Sequence, residues 1–176
     1  MKLQVIFPLA IAVALAGCVG YTAGPTNGAA AGAQSVRVEY FENSTLEPRL
    51  VTAVNRALKR NLQEDGTYRL STSGQSHLVV SGELVEFKRN GVSYTPGDTL
   101  AVQDYSMELI AKIKVTDRAT GEVIVEQQIT GNSIVRVGND LTSGQRQAVP
   151  LIAEQLARQA TSLIVDGDFG PAAAGQ

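Results

Sequence analysis

From Tyr105 to Val115 the chain alternates without a break. Tyr105, Met107, Leu109, Ala111, Ile113 and Val115 fall on one side, and Ser106, Glu108, Ile110, Lys112, Lys114 and Thr116 on the other. A period of two belongs to a strand with one buried face. Residues 117–121, Asp-Arg-Ala-Thr-Gly, supply a turn, and residues 123–137 return as another long strand, so the two runs predict an antiparallel hairpin. Everything else in the fold has to cover its apolar side. Ile110, set among polar neighbours, marks the opposite side as not purely solvated.

The cover comes from two helical patterns. Leu50, Val54, Leu58 and Leu62, widened by Val51 and Ala57, form one helical stripe, with Arg49, Asn55, Arg56, Lys59 and Arg60 largely outside it. Pro48 suits a first turn, the polar residues 42–45 offer caps, and Asp65-Gly66 ends the helix through a left-handed glycine. Val149, Ile152, Ala153, Leu156, Ala160, Leu163 and Ile164 form the second stripe, and Pro150 either kinks that helix or sits in its first turn. Burying each large aliphatic contributes roughly 1.5–3 kcal/mol before entropy, so these stripes need a sheet beneath them.

Shorter strands complete that sheet. Residues 35–41 alternate Val36, Val38 and Tyr40 against Arg37 and Glu39, residues 68–71 make a short strand, and residues 77–87 read as another. Gly82 marks a bulge or a close backbone approach. Residues 88–97 read as turns, with reversals at Asn90-Gly91 and Pro96-Gly97. The expected fold is α+β, with two amphipathic helices packed on one face of a four- or five-stranded, mostly antiparallel sheet.

The N-terminus carries an address. Met1-Lys2 precede an apolar run of 12 residues, 5–16, interrupted only by Pro8, whereas a membrane-spanning helix takes about 20. Leu15-Ala16-Gly17-Cys18 resembles the lipobox of bacterial lipoproteins, in which the cysteine is acylated and becomes the first residue of the mature chain. Residues 1–17 are thus read as a signal peptide, Cys18 as the lipidation site, and residues 18–34, rich in Gly and Ala, as a flexible tether. A coil of about 15 such residues reaches roughly 20 Å. Residues 35–167 form one domain, and residues 168–176 an unstructured tail. Val19, where aspartate would favour inner-membrane retention, points to the outer membrane.

Removing residues 1–17 of the 176 leaves 159, enough for one domain, with a net charge that moves from −2 to about −3 as Lys2 is lost. That balance argues against nucleic-acid binding, which wants clustered Lys and Arg. One cysteine allows no internal disulfide, and one histidine, His77, excludes the usual Cys/His zinc sites and a Cys-His nucleophile. Ser71, Ser73 and Ser76 have no His and carboxylate that local sequence places beside them. His77 reads as a strand-edge residue, and Glu83 and Glu86 as facing opposite sides of their strand. The chain is read as a non-enzyme with no metal and no cofactor.

Several stretches carry a resemblance to a known family. These are Cys18-Val19-Gly20-Tyr21, the run Val38-Glu39-Tyr40-Phe41-Glu42-Asn43-Ser44-Thr45-Leu46-Glu47-Pro48, then Leu78-Val79-Val80-Ser81-Gly82-Glu83-Leu84, Tyr105-Ser106-Met107-Glu108-Leu109 and Asp117-Arg118-Ala119-Thr120-Gly121-Glu122-Val123-Ile124. In this order behind a lipobox the chain resembles the LptE family of lipopolysaccharide-assembly lipoproteins. The resemblance implies an outer-membrane lipoprotein on the periplasmic side that plugs the large barrel LptD, helps it assemble, and takes part in inserting lipopolysaccharide into the outer leaflet. It implies contact with lipopolysaccharide itself, whose phosphates suit Lys and Arg. The basic residues available are Lys112 and Lys114, which point the same way on the clearest strand, with Lys88, Arg89, Arg118 and Arg136 in or near neighbouring strands and turns. They are expected to converge at one end of the sheet, against the plain alternative of solvated outer-face charges. A lipoprotein that docks on another envelope enzyme or secretion complex as activator or assembly factor is the other reading the sequence leaves open.

Overall fold

The computed structural model describes residues 31–72, 74–137 and 140–166, without the side chains of 95 and 98–101. The signal peptide, Cys18, most of the tether, Ser73 and the tail at 168–176 lie outside the described residues. In chain order the elements are β1 (Gln34–Val38), β2 (Glu42–Asn43), α1 (Arg49–Asp65), β3 (Tyr68–Leu70), β4 (Leu78–Thr95), β5 (Asp98–Asp117), β6 (Val123–Arg136) and α2 (Leu141–Asp166). The six strands form one sheet in the order β3-β1-β4-β5-β6, with β2 alongside β4. β4, β5 and β6 are antiparallel, while β1 runs parallel to both β3 and β4, and β2 parallel to β4. The expected α+β sandwich is the architecture found, with one more strand than expected and a parallel corner.

The alternation in β5 sets the core. Met107, Leu109, Ala111, Ile113 and Val115 are buried, and they line up with Val36 and Val38, Leu78, Val80 and Leu84, and Val125, Ile129 and Val135 on the neighbouring strands. Both helices seal this one face through Leu50, Val54, Leu58 and Leu62 of α1 and Ile152, Leu156, Ala160 and Ile164 of α2. Two glycines let the layers close. A Cβ on Gly82 would overlap the Phe41 ring and lie 2.5 Å from the Lys112 carbonyl oxygen. A Cβ on Gly131 would lie 2.6 Å from the carbonyl oxygen of Ile152, so α2 can rest directly on β6. Of the two roles expected for Gly82, close approach is the one found.

Local chemistry explains the ends of α1 only in part. Gly66 adopts φ 75° and donates its N–H to the Leu62 carbonyl at 3.3 Å, as its sequence position predicts. At the other end Asn43 spends its Oδ1 on the N–H and hydroxyl of Thr45 at 3.1 and 2.7 Å, closing a turn of its own rather than capping the helix. Pro48 takes the N-cap position itself, just before the first turn, and makes no side-chain cap bond; the Arg49 N–H is met instead by the carboxylate of Glu47, one residue ahead of the cap, at 3.3 Å.

Other expectations are corrected. β1 stops at Val38, Phe41 takes the next core position, and Tyr40 is left 73% exposed under the ammonium of Lys59. The tether boundary shifts: Gln34 already belongs to β1, and Gly32 donates to the Thr67 carbonyl at 3.0 Å. Asn90-Gly91 makes no reversal, because β4 continues through it to Thr95, with irregular register between Gly91 and Thr95, and only Pro96-Gly97 turns the chain. Continuous pairing with β5 outweighs a local turn preference there. Pro150 lies well inside α2, not in its first turn. Its ring faces solvent, so the carbonyl that loses a helical donor can be hydrated.

Candidate functional site

No element of the described chain covers the second face of the sheet. β5 presents Ser106, Glu108, Ile110, Lys112, Lys114 and Thr116 there, flanked on β6 by Ile134, Asn132, Thr130, Gln128 and Glu126. Lys112 stands between Glu83 and Gln128, and Lys114 between Ser81 and Glu126. Both lysines are exposed, and neither has an ion-pair partner within 4 Å among the described residues. Ile110 is half-buried and Ile134 is 66% exposed, so this polar face carries apolar points.

The six basic residues do not gather in one place. Lys112, Lys114 and Arg118 sit toward the turn that follows β5, where Arg118 donates its N–H to the His77 carbonyl at 2.9 Å and its guanidinium to the Gly74 carbonyl at 3.1 Å. Lys88 shares the open face but lies opposite Glu108 and pairs with Glu86 at 3.2 Å. Arg136 lies opposite Asp104, eight residues along β5 from Lys112 and so about 27 Å away at strand rise. It pairs with Asp104 at 3.1 Å, and that carboxylate is held below its ordinary pKa by the Ser93 hydroxyl first and Arg136 second.

Arg89 is on the other side of the sheet. The register of β4 slips between Leu84 and Glu86, making Val85 an extra residue. Beyond the slip Phe87 and Arg89 align with the core residues Leu109 and Met107, while Glu86 and Lys88 turn to the open face. Glu83 and Glu86, expected on opposite sides, therefore share the open face. Glu83 accepts the Ser44 hydroxyl at 2.5 Å and Glu86 pairs with Lys88, so they form no acid–base couple.

The slip delivers Arg89 into a cleft of about 480 Å³ bounded by Thr45, Glu47, Arg49, Phe87 and Gln145. Glu47 is only 8% exposed there. It accepts Arg49 Nε at 2.7 Å and Nη2 at 3.2 Å, and the Gln145 amide donates to its second oxygen. The Arg49 hydrogen bond is the largest cause of a Glu47 pKa lowered below the ordinary glutamate value, against a smaller opposing effect of burial. Arg89 donates to Gln145 Oε1 at 3.2 Å and lies 5.9 Å from the centre of the Phe87 ring. It thus brings a positive charge whose hydrogen-bond acceptor is a neutral amide. Glu47, Arg49 and Gln145 were not singled out by sequence reasoning. Glu47 enters the sequence reading only within the 38–48 stretch that carries the resemblance, and no sequence signal links these residues to Arg89.

His77 holds the strand edge its sequence position implied. Its Nδ1 accepts the Ser35 N–H at 3.1 Å and its own N–H reaches the Ser35 carbonyl at 2.9 Å, joining β1 to the start of β4. Among the described residues no cluster of His, Cys, Asp and Glu is suited to a metal ion. No helix among them is long and apolar enough to cross a membrane.

Residues 33–165 match the family model LptE, described as lipopolysaccharide-assembly. Among curated protein sequences, none matches. In solved structures, a hypothetical protein of Chlamydia trachomatis is 13% identical, covering 77% of this chain and 96% of its own, with a TM-score of 0.52. A minor lipoprotein of Acinetobacter baumannii is 14% identical, covering 76% and 93%, with a TM-score of 0.51. Rare lipoprotein B of Shewanella oneidensis is 14% identical over 74% and 91%, with a TM-score of 0.44. At these identities the first two share the fold of this chain and nothing finer follows from them.

Proposed function

The chain belongs to the LptE family of lipopolysaccharide assembly, and from that premise we propose that it is an outer-membrane lipoprotein, anchored through Cys18, that plugs and helps assemble an LptD-like barrel. In that position it takes part in passing lipopolysaccharide to the outer leaflet. The observation that carries this reading is the uncovered sheet face. A polar face of this kind, on which Lys112 and Lys114 stand opposite Glu83 and Glu126 but make no ion pair within 4 Å among the described residues, suits the wet, polar interior of a very large barrel far better than it suits a lipid surface.

Lipopolysaccharide presents phosphates, and each charge-assisted hydrogen bond to one contributes about 1.5–3 kcal/mol. Lys112 and Lys114 supply such donors on the open face. Arg89, bonded to an amide rather than a carboxylate, supplies one in the cleft. Lys88 and Arg136 already answer a carboxylate, and we assign them the smaller part. The chemistry is recognition and hand-over, with no bond made or broken by this chain.

Capture through a C-terminal tag tests the reading. Recovery of a heat-modifiable barrel is the expected result. Recovery of a soluble periplasmic partner with no barrel would overturn it in favour of a docking factor for another envelope complex.

A further inference from the structure

β6 closes one end of the sheet, pairing with β5 on one side only. Such an edge exposes a row of backbone N–H and C=O groups that can recruit another strand, and proteins blunt it with proline, lysine, bulges or a cover. Residues 126–136 contain neither proline nor lysine, and their pairing with β5 runs without a register shift. The cover is supplied by α2. Gln159 Nε2 donates to the Thr130 carbonyl at 3.0 Å, and Gln155 Oε1 accepts the Asn132 N–H at 2.8 Å. Gln155 Nε2 also donates to the Asn132 side chain at 2.9 Å. The two glutamines stand one helical turn apart, and the close seat of α2 on Gly131 brings them within reach.

These bonds show that Thr130 and Asn132 aim their backbone groups away from β5. By the alternation of an antiparallel strand, Glu126, Gln128, Ile134 and Arg136 do the same. A pairing of two such edges centred on Gly131 is complementary in charge at its two ends. If a second copy of β6 ran antiparallel beside the first, Thr130 would face Asn132 of the other copy, Gln128 would face Ile134, and Glu126 would face Arg136. The last pair joins opposite charges at both ends of the contact. Arg136 already gives its Nε to Asp104 at 3.1 Å, so it would meet Glu126 as a shared partner through the rest of its guanidinium, its side chain being 77% exposed.

We propose that β6 is a latent self-pairing strand and that Gln155 and Gln159 are its guards, occupying the two central rungs and keeping the chain single. This goes beyond the assembly role and does not rest on it: the guards act on self-association whatever partner the open face meets.

The test is sedimentation velocity of the full chain in detergent over a concentration series. Wild type should stay monomeric. Gln155→Ala/Gln159→Ala should dimerise, with a dissociation constant tightened by at least about tenfold because two competing hydrogen bonds per copy are gone. Gln155→Ser/Gln159→Ser, whose short side chains cannot reach the Thr130 and Asn132 backbone and add no apolar surface, should do the same and covers the case in which the alanine variant folds poorly. In the guard-free background Glu126→Arg should return the chain to monomer, and Glu126→Arg/Arg136→Glu should restore the dimer. Monomeric behaviour of a folded guard-free variant would overturn the proposal, as would a dimer indifferent to both charge changes.

Discussion

The carbonyl oxygen of Ile152 stands 2.6 Å from the point where a side chain on Gly131 would begin, so α2 and β6 meet with no room for a methyl group. The obstacle is backbone rather than the end of a flexible side chain, and the helix itself would have to move. We expect Gly131→Ala to destabilise the domain by about 1–3 kcal/mol, the cost of overpacking a closed core. A thermal melt of this variant against wild type measures it, and an unchanged midpoint would contradict this seat for α2.

Pro150 should respond in the opposite direction. It interrupts the helical ladder of α2 at a solvent-facing position where packing gains nothing from the ring. Pro150→Ala restores an N–H donor and a strong helix former, and we expect stabilisation of about 1 kcal/mol or more. Chemical denaturation is the suitable readout, and a loss of stability would show that the ring sets a helix geometry the core depends on.

The Glu47 cluster makes stability depend on pH. Arg49, ahead of the opposing effect of burial, lowers the Glu47 pKa in the folded state, so the folded chain favours the carboxylate more than the unfolded chain does. The contribution is complete above the ordinary glutamate value of 4.5 and is lost as pH falls below it and through the folded value. Asp104, Asp117 and Asp140, lowered chiefly by bonds from Ser93, the Thr120 backbone and Ser143, act in the same direction. Glu47→Gln should therefore be less stable than wild type at pH 7 and should lose less on acidification. Parallel stability curves from pH 7 to 3 would contradict that assignment.

Lipopolysaccharide binding should divide the basic residues. We expect Lys112→Glu/Lys114→Glu and Arg89→Glu each to weaken binding by tenfold or more, about 1.4 kcal/mol, and Arg136→Glu to change it less because Arg136 already serves Asp104. Titration of each variant with fluorescent lipopolysaccharide gives the order, and equal losses at all positions would point to a diffuse charge effect.

The sheet and helices were legible because each rests on an uninterrupted pattern. The period of two in β5 places Met107, Leu109, Ala111 and Ile113 in the core, and the stripe from Leu50 to Leu62 predicts α1 with its Gly66 stop. What could not be read depended on distant pairing. Val85 looks like any strand residue, yet the slip there moves Arg89 away from Lys112 and brings Glu86 onto the face of Glu83. The meeting of Glu47 with Gln145 joins residues 98 positions apart, and neither lies on an apolar stripe. Tyr40 continued a pattern that the chain itself abandons after Val38. Local turn signals misled at Asn90-Gly91 for the same reason, since a long partner strand can hold a weak strand former in place.

A photocrosslinking residue placed in turn at Ile110, Lys112, Gln128 and Ile134 probes the uncovered face in cells. We expect each position to yield an adduct with one heat-modifiable outer-membrane barrel. Absence of that adduct from all four, while the tagged chain still recovers the barrel, would contradict the assignment of this face to the barrel interior.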